Sequence, residues 1–270
     1  MSIMSISKEL TIEPCYKCLL HCKMCSSVGI PEDIILTDQK LEEVLKLYGK
    51  NIAHIRLSGG EPLLLEEKIL VGYIELINQY CTNLEVFEIL TSGITGIHIN
   101  VLNKVIWILN KIYAKEKKVG VSLYGDDIFH EEVTDSYGSY DITIHFITNL
   151  IKYKIKVYVQ TPIISYGTMR VLNYCKFHNL SLKVIKCLKH GRAETMTPEV
   201  FSKRKQQLVV EEMKREYDKI IVSNSLKERK DCKCDRKNKI TILPNGRVVG
   251  CVGMKQRGEI MKDERICEVI

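Results

Sequence analysis

The residues best suited to chemistry sit near the start of the chain. Cys15, Cys18, Cys22 and Cys25 fall close together, and the last three read Cys-x-x-x-Cys-x-x-Cys. Three thiolates on one tight loop can hold three irons of a cubane cluster. The fourth iron then has no protein ligand, and an open metal position is where substrate chemistry begins. The alternative is structural zinc, since Cys15-x-x-Cys18 and Cys22-x-x-Cys25 are two Cys-x-x-Cys pairs. Only three residues separate those pairs, whereas a zinc ribbon usually needs about fifteen to twenty to fold back. The spacing therefore favours a cluster on Cys18, Cys22 and Cys25, with Cys15 a spare thiol.

A second motif follows one strand later, Leu57-Ser58-Gly59-Gly60-Glu61-Pro62. Two glycines let backbone approach a ligand. Their carbonyls, with the Glu61 carboxylate nearby, suit a cationic amine. Taken alone the segment is an ordinary strand-to-helix turn. Beside the cysteines it resembles the radical S-adenosylmethionine (radical SAM) superfamily. The resemblance covers the whole chain, weakly in the helices and specifically at strand ends.

That resemblance implies a [4Fe–4S] cluster on Cys18, Cys22 and Cys25, with S-adenosyl-L-methionine chelating the open iron. It implies cosubstrate contacts from Ser58, Gly59, Gly60, Glu61 and Pro62, and from the strand-end residues Ser92 and Ser122. Met24 stands where the superfamily usually has an aromatic residue near the adenine, and residues 189–193 fall where the chain approaches the same base. The implied chemistry is reductive cleavage to a 5′-deoxyadenosyl radical, which takes hydrogen from an unactivated carbon. Such enzymes are oxygen-sensitive and draw an electron from a reductant such as flavodoxin or ferredoxin. The cofactor carries the hard chemistry and the protein positions the target; the sequence singles out no further catalytic residue.

The elements that must hold these residues alternate. Strands are expected at Leu10–Pro14, Ile55–Ser58, Val86–Leu90, Val119–Leu123, Lys156–Ile164 and Leu182–Cys187. Helices are expected at Asp38–Tyr48, Leu64–Tyr80, Asn100–Lys111, Ser139–Tyr153 and Val171–His178. Such alternation implies a parallel sheet, with chemistry at the C-terminal ends of the strands. The expected fold is α/β, a partial (β/α)6 TIM-like barrel with a small cysteine-bearing β-hairpin cap. Its core spans residues 1–196. A bridging helix starting at Thr197-Pro198 and a polar linker fill 197–230, and an auxiliary domain takes 231–270.

In that last segment Cys232 and Cys234 precede Ile240–Leu243, Pro244-Asn245-Gly246 and Arg247–Val249, then Cys251. Asn-Gly at the tip is a hairpin signal. A cysteine, a hairpin and Gly-x-x-x-x-Cys resemble the SPASM/twitch appendage, which binds auxiliary clusters. The later cysteines of a full SPASM domain are missing, so an auxiliary Fe–S cluster at Cys232, Cys234 and Cys251, zinc there, or no metal all stay open. Cys267 falls where the family has an ordinary helix residue.

Ser122-Leu-Tyr-Gly125 with His130, Thr134 and Gly138-Ser139 is similar to a stretch in SPASM-type peptide maturases. It makes a peptide or small protein the first choice of substrate. A small metabolite, such as a sugar or aminocyclitol undergoing oxidation or epimerisation, is the second, and nucleic acid the third. A non-enzymatic zinc or Fe–S module is the alternative of a different class. His130 at a helix start reads as structural, Arg192 as a carboxylate binder or a local ion pair, and Cys81, Cys175 and Cys187 as core thiols.

Composition agrees. The 270 residues include 45% hydrophobic and 27% charged side chains, ordinary for a packed globular protein. Eleven cysteines in clusters point to metal in a reducing compartment. No run of about eighteen apolar residues predicts a membrane span, and residues 1–10 do not read as a secretory signal, so a cytoplasmic location is expected. The net charge of +7 is spread over Lys115, Lys117 and Lys118, Lys203 to Lys205, and Lys227 to Lys230. Without a basic stripe interleaved with aromatics, this favours a solvated surface over a nucleic-acid partner.

Overall fold

The strands order themselves almost as the chain runs. A computed structural model describes residues 8–96, 99–223, 226 and 239–250. Its elements are β1 (Lys8–Ile12), α1 (Asp38–Tyr48), β2 (Ile52–Leu57), α2 (Glu67–Tyr80), β3 (Val86–Thr91), α3 (Ile99–Lys111), β4 (Glu116–Ser122), α4 (Asp127–Thr134), α5 (Ser139–Lys152), β5 (Val157–Ile163), α6 (Val171–His178), β6 (Leu182–Lys186), α7 (Lys203–Glu216), β7 (Ile220–Val222), β8 (Lys239–Ile242) and β9 (Val248–Val249). One sheet runs β7-β6-β5-β4-β3-β2-β1-β8-β9. Every pair is parallel except β8 with β9.

Because β1 to β6 lie side by side in chain order, crossovers of one hand put the helices on one face. On that face Leu10, Ile12, Ile55, Leu57, Phe87, Ile89, Val119, Val121, Val159, Leu182 and Val184 are buried. They pack with Leu41, Leu70, Ile74, Ile108, Phe146, Leu150, Leu172 and Val209 of the helices in one core. The alternate residues point to the helix-free inner face, as the two-residue period of a strand requires. The architecture is the expected partial barrel.

Helix ends follow local chemistry. Thr37 caps α1 by accepting from Lys40 N, and Asp126 caps α4 by accepting from Phe129 N. Asp135 and Asn179 close α4 and α6 in the left-handed region, where Asn and Asp are tolerated. Three expectations need correction. Thr197 starts no α-helix: Pro198–Phe201 makes a short 3₁₀ turn, and α7 begins at Lys203 with Ser202 accepting from Lys205 N at 3.4 Å. The expected helix at Leu64 likewise opens as a 3₁₀ turn, Pro62–Leu64, before α2. The sheet also exceeds six strands. β7 extends one edge, and β8 of the expected cap hairpin pairs with β1 through Glu9–Lys239 to Ile12–Ile242. The physical reason is β1's second row of backbone groups, which need partners. Cys232, Cys234, Cys251 and Cys267 lie outside the described residues. Among the described residues no helix is long and apolar enough to cross a membrane.

Candidate functional site

The cysteine loop leaves β1 at the C-terminal end of the sheet and is pinned on three sides. The first side is the end of β2. Ser58 N donates to Ile12 O, Gly60 N to Cys15 O and Glu61 N to Lys17 O, each at 2.8 Å, while the Ser27 hydroxyl donates to Gly59 O at 2.9 Å. The second is the end of α4, where His21 N donates to Thr134 O and Lys23 N to Val133 O. The third is the turn after β6. There Arg192 N donates to Cys25 O and Arg192 Nε to Cys22 O, both at 3.0 Å.

The glycines explain how the first side closes. A Cβ on Gly60 would lie 2.4 Å from Lys17 O, and one on Gly59 2.7 Å from Cys15 O; Gly59 also has φ +110°. Their bareness admits the cysteine loop's own backbone. Gly191 does the same on the third side, where a Cβ would meet Cys25 O at 2.5 Å.

Glu61 is fully buried. Its carboxylate accepts from the Thr91 hydroxyl at 2.9 Å, the Ser92 hydroxyl at 2.6 Å, Ser92 N at 2.9 Å and Leu63 N at 3.2 Å. Burial pushes its pKa up, against hydrogen bonds that favour the ion. It joins the ends of β2 and β3 and holds the Ser92 side chain.

Cys18, Cys22 and Cys25 come together in one apolar cluster with Leu20, Met24, Tyr124, Val133 and Ile164. Leu20 N donates to Cys18 Sγ at 3.4 Å, and Cys22 Sγ lies 3.9 Å from the Tyr124 hydroxyl. Burial pushes Cys18 up to about 12, and charge on Cys22 and Cys25 adds to it. Burial and Cys25 push Cys22 up to about 11, opposed by Tyr124 and Arg192. These thiols are close enough to feel one another. Cys18 and Cys25 also line a cavity of about 160 Å³ with Tyr16, Ser27, Glu32 and Arg192. Cys15 turns away into the main core, its Sγ 4.0 Å from Lys17 O and Glu61 O, and burial raises it to about 11.

Ser122 ends β4, and the buried Tyr124 stacks on His130 with ring centres 5.3 Å apart. His130 is wholly buried, accepts Tyr124 N–H at Nδ1, and is held near pKa 4 by burial. These contacts hold its ring against Tyr124. Arg192's clasp on the loop was not foreseen; its only signal was a Gly-Arg pair at a strand-end turn.

No protein-family model matches the sequence, and no curated protein matches it either. Solved structures do. Streptococcus suis SuiB bound to precursor peptide SuiA aligns with TM-score 0.69 at 16% identity, over 96% of this chain and 62% of that one. Native anSMEcpe with bound AdoMet aligns with TM-score 0.69 at 17% identity, over 90% of this chain and 74% of that one. The chain has the radical SAM fold. It spans less than two thirds of SuiB.

Within the radical SAM fold the donor set here fits a cubane. Among the described residues no three His, Cys, Asp or Glu side chains converge on a single-ion site. A cubane does not ask for that, because its three cysteines each bind a different iron. Iron would also relieve the cost of these buried thiols, since a coordinating thiol is deprotonated outright.

Proposed function

We propose that this chain is a radical SAM iron–sulfur enzyme that modifies a peptide or small protein at an unactivated C–H bond. The observation that carries the reading is the cysteine triad: three thiols in one apolar cluster, on a loop pinned to the ends of β2, α4 and β6. Cys18, Cys22 and Cys25 would hold a [4Fe–4S] cluster, which when bound supplies the electron that cleaves S-adenosylmethionine. The protein's share is to hold and to exclude. Arg192 and Tyr124 favour charge on Cys22. The backbone of Gly59 and Gly60, with Ser58, Pro62 and Ser122, lines the strand ends next to the loop, where the cosubstrate's amino group and ribose would lie. Met24 would pack at the adenine. The apolar wall of Leu20, Ile94, Val133 and Ile164 keeps water from the loop. The peptide assignment is supported by two structural neighbours, SuiB bound to precursor peptide SuiA and anSMEcpe with bound AdoMet and Kp18Cys peptide. A small one-electron donor such as flavodoxin or ferredoxin is the partner this chemistry needs.

The test is anaerobic reconstitution followed by iron and sulfide analysis. Wild type is expected to hold about four irons more than the Cys18, Cys22, Cys25 triple alanine variant, and to release 5′-deoxyadenosine when reduced with dithionite. Equal iron in the two proteins removes the ligand assignment and the reaction with it.

A further inference from the structure

The helix-free face of the sheet carries a second set of charged groups, away from the cysteine loop. Glu88 on β3, 1% exposed, accepts from Tyr158 OH at 2.6 Å and from Arg56 Nε at 2.7 Å, and His54 Nε2 lies 2.8 Å away. Glu9 on β1 takes Arg56 at 2.6 Å and Lys239 at 3.2 Å. These two carboxylates therefore have well-placed partners already. A further cation, Lys183 on β6, reaches Glu88 only at 3.8 Å. Lys118 on β4 is in the same position: it meets Glu116 at 3.6 Å, while Lys156 holds that acid at 2.6 Å.

Both under-compensated ammoniums lie beside one ring. Lys183 Nζ is 5.3 Å and Lys118 Nζ 5.9 Å from the Tyr158 centroid. The ring is fixed, because its hydroxyl is bonded to Glu88 and a Cβ on Gly120 would come within 2.5 Å of it. Neither lysine is sealed off, with side chains 19% and 23% exposed. Positive charge in excess of its counter-charges is costly when half-buried, and an anion arriving there offsets that cost. The burial and the neighbouring Arg56 and Lys118 charges already push Lys183 down to about 8. Lys183 also shares a hydrogen-bond register row with Gln160 and, through it, Ser122. Two strand spacings, about 10 Å, separate it from that strand end.

We propose that Lys183 and Lys118, flanking Tyr158 on the inner face, form a subsite for a carboxylate of the substrate, such as an acidic peptide side chain. This rests on the radical SAM reading above, because it takes the inner face of the barrel as the substrate chamber. Glutarate serves as probe, its neutral isostere glutaramide as control and inorganic phosphate as the rival anion, each titrated into the reconstituted full chain by thermal shift. The expected result is stabilisation by glutarate and none by glutaramide. Lys183→Met is expected to weaken glutarate binding at least tenfold, with Lys183→Arg retaining it and Lys118→Met weakening it too. Lys183→Met removes an excess charge and is expected to fold as well as wild type. Substrate-free release of 5′-deoxyadenosine by Lys183→Met should stay within twofold of wild type, and its absence from wild type itself would count against the radical SAM reading rather than this one. Equal binding of glutarate by wild type and Lys183→Met, or equal shifts with glutaramide, overturns the subsite. Stronger stabilisation by phosphate than by glutarate overturns the choice of carboxylate.

Discussion

Replacing Glu61 by Gln tests whether its carboxylate joins two strand ends or waits for a ligand. The carboxylate receives two backbone N–H groups, from Leu63 and Ser92, and two hydroxyls, from Thr91 and Ser92. A glutamine offers one oxygen and one NH₂. The hydroxyls can rotate to accept from that NH₂, but a backbone N–H cannot. One buried N–H is thus left facing another donor, at about 1–3 kcal/mol. The remaining bonds also lose their charge assistance, about 1 kcal/mol more. Against this, glutamine carries no charge to desolvate, and burial has already raised the pKa of Glu61. The net expectation is a loss of about 2 kcal/mol, or roughly 5 °C in melting temperature for a chain of this size. It is read by thermal and urea unfolding without S-adenosylmethionine. An unchanged or higher midpoint in E61Q, together with weaker S-adenosylmethionine binding, would refute the structural role and return this carboxylate to the amine.

Gly59→Ala forces a side chain to φ +110° and to 2.7 Å from Cys15 O; a loss of about 1–3 kcal/mol and reduced iron retention are expected, measured by urea unfolding and iron analysis. Arg192→Ala removes the bond to Cys22 O, worth about 1.5–3 kcal/mol for a charged donor; the expected outcome is faster loss of cluster absorbance on dilution, with little change in the far-ultraviolet circular dichroism. The pH dependence of Lys183 has a definite sign. It faces Arg56, Lys118, Glu88 and Glu9, and its folded pKa of about 8 is below the model-compound value of 10.5. The unfolded chain therefore holds the proton longer, and stability gained from this group rises between those values by up to about 1.4 kcal/mol per pH unit. The difference between wild-type and Lys183→Met unfolding curves from pH 8 to 10 should carry that slope, and parallel curves would refute it. Glu88 has the same sign in a lower pH window. Burial works against its charge, but His54, Arg56 and Lys183 outweigh it and hold its pKa far below normal, so its contribution is lost as the solution is acidified below pH 4 and is absent from Glu88→Gln.

What could be read beforehand was local. Cysteine spacing, Gly-Gly-Glu-Pro at a strand end and alternating apolar runs are signals within a few residues, and β1 to β6 followed from them. The misses depended on distant partners. Nothing in Ile220–Val222 or Lys239–Ile242 says which strand edge each will join, so six strands were read where nine pair, and the hairpin's pairing with β1 was not foreseen. The start of α7 was missed because Thr197-Pro198 and Ser202 are both legitimate starts, and packing chose the latter. The rotamer of Glu61 was not legible either: only the Thr91 and Ser92 donors on the next strand reveal where its oxygens go. The charged inner face escaped notice because Glu9, Arg56, Glu88, Lys118 and Lys183 lie on five strands.

The pairing of β1 with β8 bears on how the molecule is made. The strand that launches the cysteine loop emerges first from the ribosome among the described strands, yet its second edge stays open until residues 239–242 are synthesised. Contacts of such long separation form slowly, and an unpaired edge invites pairing with other chains. Fragments cut before residue 239 to isolate the barrel would keep every cysteine of the triad and lose that neighbour, so they should aggregate or lose iron for a reason unrelated to the ligands.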